Sequence, residues 1–133
     1  MDIKKVVVIG SGTMGSGIAA HLCNAKVPVT LLDLTTEISE KARDRIFKSK
    51  PPLLLDKSKI ENIKVGNIND NFDVVKDADW VVEAVVERID VKHNIYEKIF
   101  KDRKKGAIVS SNTSSIPIKV LSKKLTIEEK KDF

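Results

Sequence analysis

Cysteine occurs once in this sequence and histidine twice, which leaves too few ligands for a disulfide framework or a metal centre of those residues. The lone thiol, Cys23, falls in a helical pattern and is expected as a small buried hydrophobe. Aromatic residues make up only 5% of the chain. That is poor material for base-stacking platforms, and no nucleic-acid reading motif accompanies it. The formal charge of +5 arises from 24 Lys/Arg against 19 Asp/Glu. Much of the excess is spread over predicted helix faces or gathered at Lys101, Arg103, Lys104 and Lys105. It suits the attraction of a small anion better than DNA or RNA. No apolar run approaches the ~20 residues of a membrane span. The run after Lys4 and Lys5 is only Val6 to Ile9, too short for a secretory core, so a cytoplasmic location is expected. With 41% hydrophobic and 32% charged residues, the 133-residue chain has the composition of one globular domain, residues 1–133.

The informative stretch is VVVIGSGTMGSGIAA, from Val6 to Ala20. A β-branched run ends in Gly10-x-Gly12-x-x-Gly15 and passes directly into small and apolar residues suited to a helix. Strand, glycine turn and helix in this order form the fingerprint of a dinucleotide site. Gly10 turns the chain, Gly12 leaves room for a pyrophosphate, and Gly15 lets the helix lie close on the strand. The first-turn N–H groups, with Thr13 and Met14 among them, then face the anion without needing a basic side chain.

The rest of the chain continues the pattern. A strand from Lys4 to Ile9 is followed by a helix from about Thr13 to Ala25, with Met14, Ile18, Leu22 and Ala25 as its apolar face. A second strand, Val29 to Leu32, ends at Asp33, and Thr35 or Thr36 caps a helix to about Lys48. Ile38, Ala42, Ile46 and Phe47 form that helix's stripe, and Pro51-Pro52 ends it. Leu53 to Leu55 reads as a short helical turn or a patch for a neighbouring domain. A third strand is expected over Ile60 to Gly66, a short helix over Phe72 to Ala78, and a fourth strand over Trp80 to Val86, interrupted by Glu83. A helix from Arg88 to Lys101 turns Val91, Ile95 and Ile99 inward, with Tyr96 or Phe100 beside them. A fifth strand over Ala107 to Ser110 leads through SNTSS to a helix from Ile116 or Pro117 to Leu125. This is an α/β chain: a doubly wound, mostly parallel sheet of the Rossmann type in order 3-2-1-4-5, stopping before a sixth strand.

Several polar residues fall at strand ends, where such a sheet binds its ligand. Asp33 follows the glycines by about 20 residues, the spacing at which a carboxylate holds the adenosine ribose. It would repel a 2′-phosphate, and no arginine follows in Leu34 to Glu37, so NAD is expected rather than NADP. Glu87 and Lys92 flank the start of the fourth helix, and Asn112, Thr113 and Ser114 follow the fifth strand. Their plainer roles are solvated surface for the first pair and turn formation for the rest. Their sharper role is to meet the nicotinamide half and a substrate oxygen. His21 and His93 sit inside predicted helices, away from strand ends, and neither suits a general base.

GSGTMGSGIA, LLD, VVEAVVERIDVK and SSNTSSIP together closely resemble the NAD-binding domain of 3-hydroxyacyl-CoA dehydrogenases over nearly the whole chain. The resemblance implies that Asp33 holds the adenosine ribose and that Glu87 and Lys92 lie near cofactor and substrate. It also implies that Asn112 stands beside the nicotinamide and that Ser114 hydrogen-bonds the substrate's 3-oxygen. FKSKPPLLLDKSKIENIKVGN looks like the long, multidomain branch, in which a crotonase-like domain can follow. The family's catalytic histidine belongs to a sixth-strand motif, with an orienting glutamate beyond it, and neither is in this sequence. The expectation is therefore an NAD-binding but catalytically incomplete piece of a longer enzyme. Its acyl-CoA cleft and homodimer contact would come from a helical domain beyond Phe133, and Leu53–Leu55, Val120, Leu121 and Leu125 would await cover. An NAD-sensing regulatory module and a dehydrogenase for another hydroxy acid are the alternative readings.

Overall fold

In the computed structural model, which describes residues 2–133, the sheet and its order are as the pattern predicts. The elements are β1 (Val6–Ile9), α1 (Thr13–Asn24), β2 (Val29–Asp33), α2 (Thr36–Lys48), β3 (Ile63–Asn67), β4 (Trp80–Glu83), α3 (Ile89–Asp102), β5 (Ile108–Ser111), α4 (Ile118–Leu121) and α5 (Ile127–Lys130). Short 3₁₀ helices at Lys57–Asn62 and Phe72–Asp77 precede β3 and β4. All strands pair in parallel in the order β3-β2-β1-β4-β5. The register sets Ile9 opposite Leu32 on one side and Glu83 on the other, and Glu83 opposite Ser111. The strands thus end along one edge, and the turns that follow them meet there.

Alternation along β1 divides the core in two. Val6 and Val8 face α1 and α2 with Leu31, Ala42, Ile46 and Ile63. Val7 and Ile9 face the other way, toward α3, with Val75, Val81, Ile95 and Ile99. Side-chain N and O atoms buried among the described residues all have partners.

Helix α1 keeps Leu22 and, in part, Ile18 inward as predicted, but Met14 and Ala25 turn outward and small residues take their place. Its buried residues are Gly15, Ser16, Ala19, Ala20, Leu22 and Cys23, while Met14 is 60% exposed. Close approach is the reason: a Cβ on Gly15 would stand 1.8 Å from the Gly10 carbonyl oxygen, so only small side chains fit beneath. On α2, Ala42 and Ile46 are buried as expected, but Ile38 and Phe47 turn outward. Ser39 takes the inward position and donates its hydroxyl to the Gly66 carbonyl at 2.8 Å. Thr35 caps the helix by accepting from the Ile38 N–H.

The Leu53–Leu55 segment is neither a helical turn nor a uniform patch. The Asn24 side chain donates to the Leu53 carbonyl and accepts from the Leu55 N–H, both at 2.9 Å. That clamp drives Leu54 into the core and leaves Leu55 outside. Strand β3 begins later than expected, because Asp56 caps a 3₁₀ turn through Asn62. Strand β4 stops at Glu83 instead of Val86, as Ala84 turns to donate to Ile9. The helix predicted to Leu125 is shortened to α4, and α5, which was not predicted, follows it, opened by a Thr126–Glu129 capping box. Leu121 is buried, so it belongs to the core and not to an uncovered patch. Phe133 packs edge-on against Tyr96, ring centroids 4.9 Å apart. Arg103 and Lys104, from the basic cluster, pair with Asp132 and Asp79. No helix among the described residues is long and apolar enough to cross a membrane.

Candidate functional site

The turn after β1 is shaped by its neighbours. Gly10 has φ +104°, and a Cβ there would stand 2.3 Å from the Ala84 carbonyl oxygen. Gly10 and Gly15 are therefore required by the protein's own packing. Gly12 is not: its φ is −67°, and a Cβ there would meet nothing within 4 Å. Gly12 is the N-cap of α1 and caps it with no side chain, nor does any acidic residue occupy the first turn. The first intrahelical bond, Ser16 N–H to the Gly12 carbonyl, leaves the earlier N–H groups pointing outward. Thr13 and Met14 are exposed beside them. The result is an uncapped helix end with an open approach, where the macrodipole favours an anion.

Asp33 stands next to this turn. Its Oδ2 accepts from the Ser11 N–H at 2.8 Å and the Ser11 hydroxyl at 2.5 Å, and its Oδ1 accepts from the Leu34 N–H at 2.7 Å. The Ser11 carbonyl in turn accepts from Ser16 Oγ at 2.9 Å and Arg45 Nη2 at 3.0 Å. Acid and glycine turn are thus tied together through Ser11. Neither Ser11 nor Arg45 is marked by any local sequence signal, because both contacts are long-range.

The other half of the edge is built on β4, α3 and β5. Glu87 gathers the turn after β5: it accepts from Thr113 Oγ1 at 3.0 Å, the Ser114 N–H at 2.9 Å and the Ser115 N–H at 3.2 Å. Lys92 Nζ lies 3.1 Å from Glu87 and 2.5 Å from Glu83. The Ser114 N–H, aided by Lys92 and Thr113, holds the Glu87 carboxyl down at about 2. Asn112 is anchored by its N–H on the Glu83 carbonyl at 2.8 Å, and Ser114 Oγ lies 3.3 Å from Glu87. The plainer expectation of solvated surface is wrong for Lys92, which is 1% exposed. The inward stripe of α3 is Lys92, Ile95, Tyr96 and Ile99, while Val91 sits at its margin. That stripe follows helical spacing, and a count of apolar residues alone passes over its lysine.

Gly10, Gly12, Thr13, Met14, Gly15, Asp33, Glu87, Lys92, Asn112 and Ser114 all come to the same sheet edge, at or just after strand ends. His21 is on the exposed side of α1, and His93 Nε2 lies 3.0 Å from the Val120 carbonyl oxygen. No group of three or more metal-ligating side chains occurs among the described residues.

The sequence model described as "3-hydroxyacyl-CoA dehydrogenase, NAD binding domain" matches residues 5–132. The chain belongs to that family. A probable 3-hydroxyacyl-CoA dehydrogenase of Deinococcus radiodurans is 43% identical over 125 residues, covering 89% of this chain and 36% of the relative. A putative fatty acid oxidation complex trifunctional enzyme of Rickettsia felis is 40% identical, covering 99% of this chain and 19% of its own. The crystal structure of (S)-3-hydroxybutyryl-CoA dehydrogenase from Ralstonia eutropha superposes with a TM-score of 0.77 at 31% identity, covering 92% of this chain and 45% of that one. The chain spans about a third of the first relative's length and a fifth of the second's. As the NAD-binding domain of this family, it fits its cofactor: the glycine that the protein's packing does not require, Gly12, is the N-cap of the open helix end and follows Ser11, which Asp33 holds.

Proposed function

We propose that this domain serves an NAD-dependent dehydrogenase that oxidises (S)-3-hydroxyacyl-CoA to 3-ketoacyl-CoA, and that it supplies the cofactor half of the site. The observation that carries the reading is the shared edge: an open, uncapped glycine turn tied to Asp33 on one side, and the Glu87-gathered Asn112–Ser114 turn on the other. In this assignment the N–H groups of the first turn of α1 receive the pyrophosphate. Asp33 accepts from the adenosine ribose. Three donors already occupy its carboxylate, and the Ser11 hydroxyl, the one free to rotate, gives up its place.

Glu87, Lys92 and Asn112 border the nicotinamide half, with Lys92 offering a charge already balanced by two carboxylates. Ser114 donates to the substrate's 3-oxygen and orients C3. NAD, when bound, takes up the hydride that leaves C3. The 3-hydroxyl proton goes to a base outside these 133 residues. Acyl-CoA binding, a homodimer contact and a cytoplasmic setting belong to the whole enzyme on the same proposal. The net charge of +5 favours approach of both anionic ligands.

Calorimetry with NADH and NADPH tests the reading. NADH should bind the folded chain, and NADPH at least about tenfold more weakly, since Asp33 opposes the 2′-phosphate. Asp33→Asn should weaken NADH by about 1.5–3 kcal/mol, the value of hydrogen bonds to a charged group, and narrow the discrimination. A folded chain that takes neither dinucleotide would overturn the assignment.

A further inference from the structure

Beneath the Glu87 clamp lies a second carboxylate with no access to solvent. Glu83 closes β4 at 0% exposure, and its two oxygens take four donors. Oε1 accepts from the Tyr96 hydroxyl at 2.5 Å and the Ser111 hydroxyl at 2.6 Å. Oε2 accepts from Lys92 Nζ at 2.5 Å and the Val85 N–H at 2.9 Å. Its own backbone carbonyl takes the Asn112 N–H at 2.8 Å. The donors come from three different places: the turn after β4, helix α3, and the end of β5. Stability alone does not account for this arrangement, because apolar side chains commonly replace a buried ion network without loss.

The structure assigns Glu83 as a positioning residue that, without touching cofactor or substrate, sets the spacing between the Lys92–Glu87 pair and the Asn112–Ser114 turn. The path is short. Oε2 holds Lys92, Lys92 meets Glu87, and Glu87 holds the N–H groups of Ser114 and Ser115. Oε1 and the carbonyl hold the same turn from its other end, through Ser111 and Asn112. The catalytic consequence rests on the reading above that nicotinamide lies between these groups. Asp33 and Gly12 lie across the edge, outside the network, so the adenosine half should not feel a change at Glu83.

Glu83→Gln keeps the shape and removes the charge that faces Lys92. Three measurements on the folded variant decide: the Ser114 and Ser115 amide resonances without ligand, and the affinities for NADH and for ADP. The expected result is that both amides shift while the Asn67 amide on β3 does not. NADH binding should fall about tenfold while ADP binding stays within about twofold. Unmoved amides and NADH affinity would overturn the assignment, as would NADH and ADP weakening together, the mark of general loosening. If the parent chain itself binds neither ligand, the dinucleotide reading fails, while the ligand-free amides still decide the role of Glu83. Should Glu83→Gln not fold, Tyr96→Phe takes its place, since the Tyr96 hydroxyl reaches the turn only through Glu83 Oε1, whereas Ser111 also accepts from the Thr113 N–H: a shift of the Ser114 amide supports the assignment, and an unshifted one overturns it.

Discussion

Glu87 accepts from backbone N–H groups, a threonine hydroxyl and a lysine at once, and its ionisation carries that cost and benefit into pH dependence. The Ser114 N–H, with Lys92 and Thr113, brings its carboxyl from 4.5 to about 2. Asp79 is brought from 3.8 to about 2 by Lys104 and the N–H groups of Lys4 and Lys5. Both values are lower folded than unfolded, so the unfolded chain binds protons first as acid is added. The stabilisation is complete above about 4.5 and disappears as the pH falls toward 2. Urea midpoints should therefore drop through this window. Glu87→Gln should flatten the acid limb and leave the Asp79 share in place. A variant whose acid limb matches the parent's would show that the turn after β5 is held by something other than this carboxylate.

The strand–turn–helix unit makes a sharper distinction between glycines than the motif does. Gly15→Ala places a methyl against the Gly10 carbonyl, 1.8 Å from its oxygen, which backbone movement alone can relieve. It should cost about 1–3 kcal/mol or more, visible as a lowered thermal midpoint. Gly12→Ala enters open space at an ordinary φ. It should cost only about 0.5–1 kcal/mol, the preference of an N-cap for glycine over alanine, and yet weaken NADH by tenfold or more, because the methyl stands where the pyrophosphate would lie. Equal stability losses at the two positions would remove the distinction.

This unit was legible because its signals are local: β-branched run, glycines and Asp33 fall within about thirty residues. The small-residue face of α1 was not, since the Met14–Ile18 stripe reads as the core face until the helix's close seat on Gly10 is known. Glu83 reads as a break in the apolar run. Only parallel register, which sets it opposite Ser111 and within reach of Lys92 and Tyr96, shows how its charge is satisfied.

In the molecule as a whole, the polar side chains on the nicotinamide side of the shared edge are engaged with one another. Glu87 is held at about 2. Tyr96 is pushed far up by burial and by its bond to Glu83, and it remains a buried donor. Lys92 is sealed between two carboxylates, and His93 is turned toward Val120. General-base catalysis needs a group poised near the working pH and within hydrogen-bond reach of the proton. The folded 133-residue chain should therefore bind NADH but show no acetoacetyl-CoA-dependent loss of NADH absorbance above background. Joining it to the remaining length of a relative such as the Deinococcus radiodurans dehydrogenase should restore turnover. Steady oxidation of NADH by the chain alone, near the ~10 per second of an ordinary enzyme, would place the proton donor among these residues. Ser114→Ala and Glu87→Gln would then separate the two groups at the edge able to relay it.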